Sequence, residues 1–222
     1  MTPEDRRTFI EAHTSVEPAP FVPEVLLHTG GPAMELWEAA FHADDRLPLP
    51  PPYWAWPWAG GQALARYVLD KPAVVRGRWV LDVGSGGGIV AIAAALAGAA
   101  RVIAVDIEPY AIEACRLNAR ANGIVLEPLE ADLIGTDDGW EVVLAGDVWY
   151  DAELADRMAP WLRSLAARGA IVLTGDLGRA HLPAAGIVEL ARYTVPTLVD
   201  LEDVPEKEAR VLRLEGVTAK RS

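Results

Sequence analysis

Between residues 79 and 175 the chain alternates short apolar runs with helical patterns, and that alternation leaves few folds open. "WVLDV" (79–83), "RVIAVD" (101–106), "IVLEPLE" (124–130), "EVVLAG" (141–146) and "AIVLTG" (170–175) read as strands. "IVAIAAALAG" (89–98), "PYAIEACRLNARANG" (109–123) and "AELADRMAPWLRSLA" (152–166) read as helices, the last broken or kinked at Pro160. Strands apolar on both faces and separated by helices imply a mostly parallel sheet under helices, an α/β fold. The ending differs. "IVELARYTV" (187–195) and "ARVLRLEG" (209–216) are joined by the acidic "PTLVDLEDVPEKE", which suits a closing antiparallel hairpin.

Residues 1–50 have another character. "PEDRRTFIEAH" and "AMELWEAAFHA" read as helices, and "LPLPPP" (47–52) as a stiff connector, so a helical N-terminal extension is expected. The main domain is expected over 51–216, with a tail at 217–222. It opens on "YWAWPW", which crowds Tyr53, Trp54, Trp56 and Trp58 into six positions ahead of Gly60, Gly61 and a helix carrying Leu64, Tyr67 and Val68 on one face. Rings at that density must be buried or bind something.

Bulk properties exclude several classes. A net charge of −12 argues against a nucleic-acid binder, which needs a basic face. One cysteine, Cys115, rules out a disulfide framework and a thiolate-rich metal site, and it reads as a small buried hydrophobe. His13, His28, His42 and His181 share no metal-ligand spacing. The longest apolar run, "IVAIAAALAGAA", falls short of the ~20 residues of a membrane helix, and "MTPEDRRTFIEAH" lacks the apolar core of a signal peptide. A cytoplasmic monomer that touches no membrane is expected.

The most informative segment is "LDVGSGGGIV" (81–90): a strand ends, glycines follow, a helix begins. Glycine permits the turn and a close ligand approach, and the helix N-terminus offers free N–H groups. The spacing of Gly84, Gly86 and Gly88 departs from the G-x-G-x-x-G of dinucleotide binders. Asp82, two residues before Gly84, would repel a pyrophosphate and suits a ligand carrying positive charge, such as the sulfonium and ammonium of S-adenosylmethionine. Asp106, about twenty residues on, is placed for ribose hydroxyls. Asp132 is placed for an adenine amine, with the Leu133 N–H as complementary donor, and Asp147 ends the fourth strand. Ser85 lies in the loop without a nucleophile-elbow pattern around it.

With "LDVGSGGG", "VIAVD", "LEADL" and "VVLAGD" in order, the chain resembles the seven-strand S-adenosylmethionine-dependent methyltransferases over roughly residues 50–216. The resemblance implies a Rossmann-like, doubly wound seven-stranded sheet. "GDVWYD" (146–151) resembles the D-x-x-Y motif of protein lysine methyltransferases of that fold. "PPYWAWPWAGGQALARYVLDKPAVVRGRWVLDVGSG" is similar to the electron transfer flavoprotein β-subunit lysine methyltransferases and their bacterial relatives. What this implies is methyl transfer to lysine, with the flavoprotein β subunit as the suspected partner. The implied cofactor set is Trp58, Asp82, Gly84, Ser85, Gly86, Asp106, Ile107, Asp132, Leu133 and Asp147. Asp147 and Tyr150 would be catalytic, and no metal is needed.

The aromatic stretch is expected to lie over the carboxyl edge of the sheet as a lid. Trp58 would pack on the cofactor, and Tyr53 and Trp54 would line the channel for the amine; Trp56 reads as a staple to the core. Trp149 is open between a place beside the target side chain and a place in the core. The acidic run 200–208 is a solvated hairpin turn that could also steer a lysine-rich target, an attraction salt would weaken. A small-molecule N-methyltransferase, a non-catalytic cofactor-binding module and, least of all, a nicotinamide dehydrogenase are the competing readings.

Overall fold

A computed structural model describes residues 2–42 and 51–216. In chain order the elements are α1 (Pro3–His13), β1 (Thr14–Ala19), β2 (Val22–Gly30), α2 (Ala33–His42), α3 (Ala59–Asp70), β3 (Trp79–Val83), α4 (Ile89–Leu96), β4 (Arg101–Asp106), α5 (Pro109–Ala121), β5 (Glu127–Glu130), β6 (Val142–Gly146), α6 (Ala152–Arg168), β7 (Ile171–Asp176), β8 (Ile187–Pro196), α7 (Val199–Glu202) and β9 (Glu206–Leu214). Single turns of 3-10 helix occupy Tyr53–Ala55 and Pro72–Val74. Residues 43–50 and 217–222, which hold most of the expected connector and the whole expected tail, lie outside the described residues.

The main sheet has seven strands in the order β5-β4-β3-β6-β7-β9-β8. The pairs from β5 to β7 are parallel, and β9 runs antiparallel to both β7 and β8. This is the mostly parallel sheet with an antiparallel end that the sequence implies. Alternation along the strands sorts side chains to two layers. Val80, Val142 and Leu144 face a core built with α3 and α4, whereas Leu81, Val83 and Val143 face one built with α6. The chain winds outward from β3 to β5, then returns to place β6 beside β3. The carboxyl ends of β3 and β6 therefore flank the switch point, where open α/β sheets hold their ligands.

Several elements differ from expectation. The acidic run 200–208, expected as a solvated turn, carries the end of α7 with Glu202 buried and enters β9 at Glu206. α6 runs unbroken through Pro160. Its buried stripe of Met158, Trp161, Leu162 and Leu165 holds the helix on the sheet across the missing backbone bond. Between the two expected N-terminal helices lies an antiparallel hairpin, β1–β2, that the sequence reading did not anticipate. β1 and β2 contain Pro18 and Pro23, but both strands of a two-stranded ribbon are edges, where a missing N–H is tolerated. The free side of β2 is satisfied by α5. Asn122 accepts from Leu26 N–H at 2.9 Å and donates to its carbonyl at 2.7 Å, and Asn118 accepts from His28 N–H at 2.7 Å. Val22, Val25 and Leu27 are buried in the same core as α3 and α4. Among the described residues no helix is long and apolar enough to cross a membrane.

Candidate functional site

Gly60, in the first turn of α3, has a structural reason. The first turn of α3 crosses directly over the ends of β6 and β7. A Cβ on Gly60 would lie 2.5 Å from the Gly175 carbonyl oxygen, and one on Gly146 would lie 2.9 Å from the Gly61 Cα. Glycine at 60, 146 and 175 is what lets the backbones cross at this distance. The crossing points the N-terminus of α3 at Asp147, whose Oδ2 accepts the Gly61 N–H at 2.6 Å. Asp147 has a φ of 54°, in the left-handed region that aspartate tolerates better than most residues. Its backbone N–H donates to the Gly175 carbonyl at 2.9 Å.

The aromatic stretch lies across the same edge. Trp54 is buried and stacks on Tyr110 of α5, with centroids 6.1 Å apart and planes 13° apart. Trp58 precedes α3, donates its indole N–H to the Tyr53 carbonyl at 2.8 Å and meets the Tyr53 ring edge-on. Trp56 is buried, as a staple would be, and also reaches the site. All four rings, the glycine loop, Asp82 and Asp147 enclose one cavity of about 60 Å³.

On the other wall Gly84, Gly86 and Gly88 all have positive φ. At Gly88 a Cβ would also sit 2.6 Å from Cys115 Sγ, which explains the small buried side chain at that point of α5. Asp106 ties the loop down, accepting Gly86 N–H at 2.9 Å and Glu108 N–H at 3.0 Å. Asp82 is buried and accepts Ala91 N–H at 2.9 Å. Burial pushes its carboxyl up to about 8. Burial also raises Asp106. It pushes Asp147 up to about 7, against the pull of Gly61 N–H and Arg179. Ser85 Oγ is buried in the cavity wall with no hydrogen-bond partner.

These features fit S-adenosylmethionine. An orphaned hydroxyl offers a polar contact, the glycine cradle admits close approach, and a buried carboxyl that gains from a nearby cation matches a sulfonium or ammonium.

The structure thus gathers Tyr53, Trp54, Trp58, Asp82, Gly84, Ser85, Gly86 and Asp147 around one cavity, with Asp106 bonded to its wall. Four candidates stand outside the lining. Ile107 is 73% exposed and Tyr150 is 59% exposed. Leu133 packs against the α6 layer. Asp132 forms an ion pair with Arg157, which holds its carboxyl below the usual range, and accepts Ile134 N–H at 3.0 Å. Trp149 requires a correction. It is fully buried and donates to Thr174 Oγ1 at 2.8 Å, while Thr174 donates to the Ala145 carbonyl at 2.7 Å. That bonded place in the sheet core replaces a substrate-facing one.

Sequence reading missed Asp176 and Arg179. β7 extends one residue beyond the expected strand, and Asp176 is a further acid at a carboxyl end. The run "TGDLGR" carried that signal.

Comparison with known proteins places the chain among methyltransferases. A family model described as ribosomal protein L11 methyltransferase (PrmA) matches residues 62–175. The chain is 42% identical over 198 residues to the electron transfer flavoprotein beta subunit lysine methyltransferase of Xenopus laevis, covering 85% of this chain and 78% of that one. It is 41% identical over 185 residues to the human protein of the same name, covering 82% and 70%. Similarity to a Caenorhabditis elegans homolog is 30% over 229 residues, covering 91% and 93%. Among solved structures, magnesium protoporphyrin IX methyltransferase from Synechocystis, crystallised with S-adenosylmethionine, superposes with a TM-score of 0.52 at 18% identity, covering 70% of this chain and 78% of that one. That likeness concerns the fold alone.

Proposed function

Because this chain belongs to the family of electron transfer flavoprotein β-subunit lysine methyltransferases, we propose that it transfers methyl from S-adenosylmethionine to lysine side chains of an electron transfer flavoprotein β subunit through the cavity beneath its aromatic strap. The observation that carries the reading is the meeting of Asp147, the glycine loop and the four strap rings around one cavity.

The cofactor supplies an electrophilic methyl group on a sulfonium. Asp82, Ser85 and the loop N–H groups would hold it, with Asp106 toward its ribose. The remaining work falls on the chain. A lysine amine has a reference pKa near ~10.4, so only about one in 2,500 is neutral at pH 7. Passage between Tyr53, Trp54 and Trp58 strips water from the ammonium and lowers that value, while the rings still favour a cation at their faces. Asp147 Oδ2 is committed to Gly61 N–H, and Oδ1 is buried without a hydrogen bond. The open oxygen receives one amine N–H and aims the nitrogen lone pair. Asp147 is thus an orienter first and a base second. Tyr150, exposed at the rim, meets the incoming side chain before the cavity does. Alignment and exclusion of water provide most of the rate, up to ~7–11 kcal/mol in favourable systems.

The test is incubation of the purified protein with tritiated S-adenosylmethionine and purified electron transfer flavoprotein, then mass spectrometry of the labelled chain. Label on β-subunit lysines is expected. Label confined to small molecules in a parallel lysate experiment, with none on the flavoprotein, would reject the reading.

A second measurement bears on the cofactor wall. Asp106→Ala removes a ribose acceptor and the tether of Gly86. Hydrogen bonds to a charged group contribute about 1.5–3 kcal/mol, so calorimetric affinity for the cofactor should fall ~10-fold or more. Unchanged affinity would remove Asp106 from the site.

A further inference from the structure

Gly146 and Gly175 are register partners, so the residues that follow them, Asp147 and Asp176, emerge side by side from β6 and β7. Asp176 is fully buried. Its Oδ1 accepts the Gly178 and Arg179 N–H groups at 2.5 and 2.8 Å, a turn that folds Arg179 back over the strand ends. Arg179 Nη2 then lies 3.3 Å from Glu202 Oε1 and 3.9 Å from Asp147 Oδ1. Glu202 belongs to α7, inside the acidic β8–β9 loop, is nearly buried and also pairs with Lys207.

The cluster is incompletely bonded. Asp147 Oδ1, Asp176 Oδ2 and Arg179 Nε are all buried without a hydrogen-bond partner. Each such atom has given up water without gaining a partner, which costs stability. An ion cluster selected for stability alone would close those bonds. Here the contact to Glu202 is a hydrogen bond, while the one to Asp147 is close enough for charge attraction and too long for a bond. Arg179 therefore acts on Asp147 by charge without taking a hydrogen bond to Oδ1.

We propose that Arg179 is a positioning residue for methyl transfer, a cationic strut between Asp147 and Glu202 that keeps the Asp147 carboxylate charged and in place while leaving Oδ1 open to the amine. The amine in this statement rests on the lysine reading above; the strut rests on geometry alone. It also joins the acidic hairpin loop to the carboxylate at the cavity, so that a basic target held by the loop and the orienting group share one element.

Every charged or polar element packed on Asp147 enters the test. The N–H groups of Gly60 and Gly61 and the Arg179 guanidinium favour its ionised form, and burial and Asp176 oppose it. Glu202 and Lys207 act on Arg179, and Arg210 acts on Asp176. Removing the Arg179 charge therefore raises the titration of Asp147. Removing the Glu202 charge releases Arg179 toward Asp147 and lowers it.

The experiment is a carboxyl ¹³C NMR titration of the full chain, with Asp147→Asn identifying the resonance, beside kcat, KM and cofactor affinity against pH. Arg179→Gln should raise the Asp147 midpoint by about half a pH unit or more. It should also lower kcat ~10-fold at pH 7 while cofactor affinity changes less than about twofold. Arg179→Lys should recover most of both, and Glu202→Gln should move the midpoint down. An unmoved midpoint in Arg179→Gln, or equal damage from Gln and Lys together with lost cofactor affinity, would overturn the proposal. If Arg179→Gln does not fold, Glu202→Gln decides, and an unmoved Asp147 midpoint in that variant would overturn it. The titration needs no substrate, so failure of the lysine reading shows separately, as a wild type with this titration and no transfer to lysine.

Discussion

Asp147→Asn should lower kcat ~100-fold or more, in the range that a positioned acid–base group contributes, while cofactor affinity changes far less. The isostere is chosen with care. Asparagine tolerates the positive φ at this position, and its carbonyl oxygen can still accept the Gly61 N–H. What it loses is the charge and the second acceptor oxygen that faces the amine. The pH profile separates these losses. With the Asp147 carboxyl at about 7, wild-type kcat/KM should fall as pH drops through neutrality, and that limb should vanish in the variant. Equal losses of turnover and cofactor affinity would place Asp147 on the cofactor instead.

The same residue fixes a sign for stability. Its carboxyl titrates near 7 when folded and near ~3.9 when unfolded. The folded chain thus holds more protons between those values, and stability falls as pH rises through that window. The contribution is fully present below the unfolded value and gone above the folded one. Asp82, at about 8, adds a loss of the same sign that ends slightly higher. Thermal melts should therefore show wild type less stable at pH 8 than at pH 5. Asp147→Asn should flatten part of that slope.

The central strands β3, β4, β6 and β7 were readable because each is a short, largely apolar run, and the observed bounds of β3 and β4 coincide with the runs. The β1–β2 hairpin was not readable. Its prolines obscure the pattern, and its partners for Leu26 and His28 are Asn122 and Asn118, 96 and 90 residues on. The cavity was half visible. The glycine loop and Asp82 announce a cationic nucleoside ligand through local chemistry. The place of Trp149 depends on a hydrogen bond to Thr174 across the sheet, which no local pattern contains. Asp176 and Arg179 follow from register, because the pairing of Gly146 with Gly175 decides which acid stands beside Asp147.

Gly60→Ala should be severely damaging although alanine is the better helix former. In an open helix the change would stabilise by roughly 0.5–1 kcal/mol. Here the added Cβ would lie 2.5 Å from the Gly175 carbonyl oxygen and 2.7 Å from both Asp147 carboxylate oxygens. The carbonyl cannot yield, because Gly175 is paired to β6 on one side and β9 on the other. The helix must move instead, and Ala63, Leu64 and Val68 of α3 are fully buried, so the shift propagates into the core. Overpacking of this kind costs ~1–3 kcal/mol, which for a chain of this size lowers Tm by roughly 2–10 °C. The displaced turn also gives up the Gly61 bond to Asp147, so methyl transfer should fall more than stability does. Gly61→Ala is the control. Its nearest neighbour would be Ile89 Cγ2 at 3.4 Å, an ordinary contact, and it should melt close to wild type. If the two variants melt alike, the crossing of α3 over β6 and β7 is looser than these distances state, and the double glycine would need another cause.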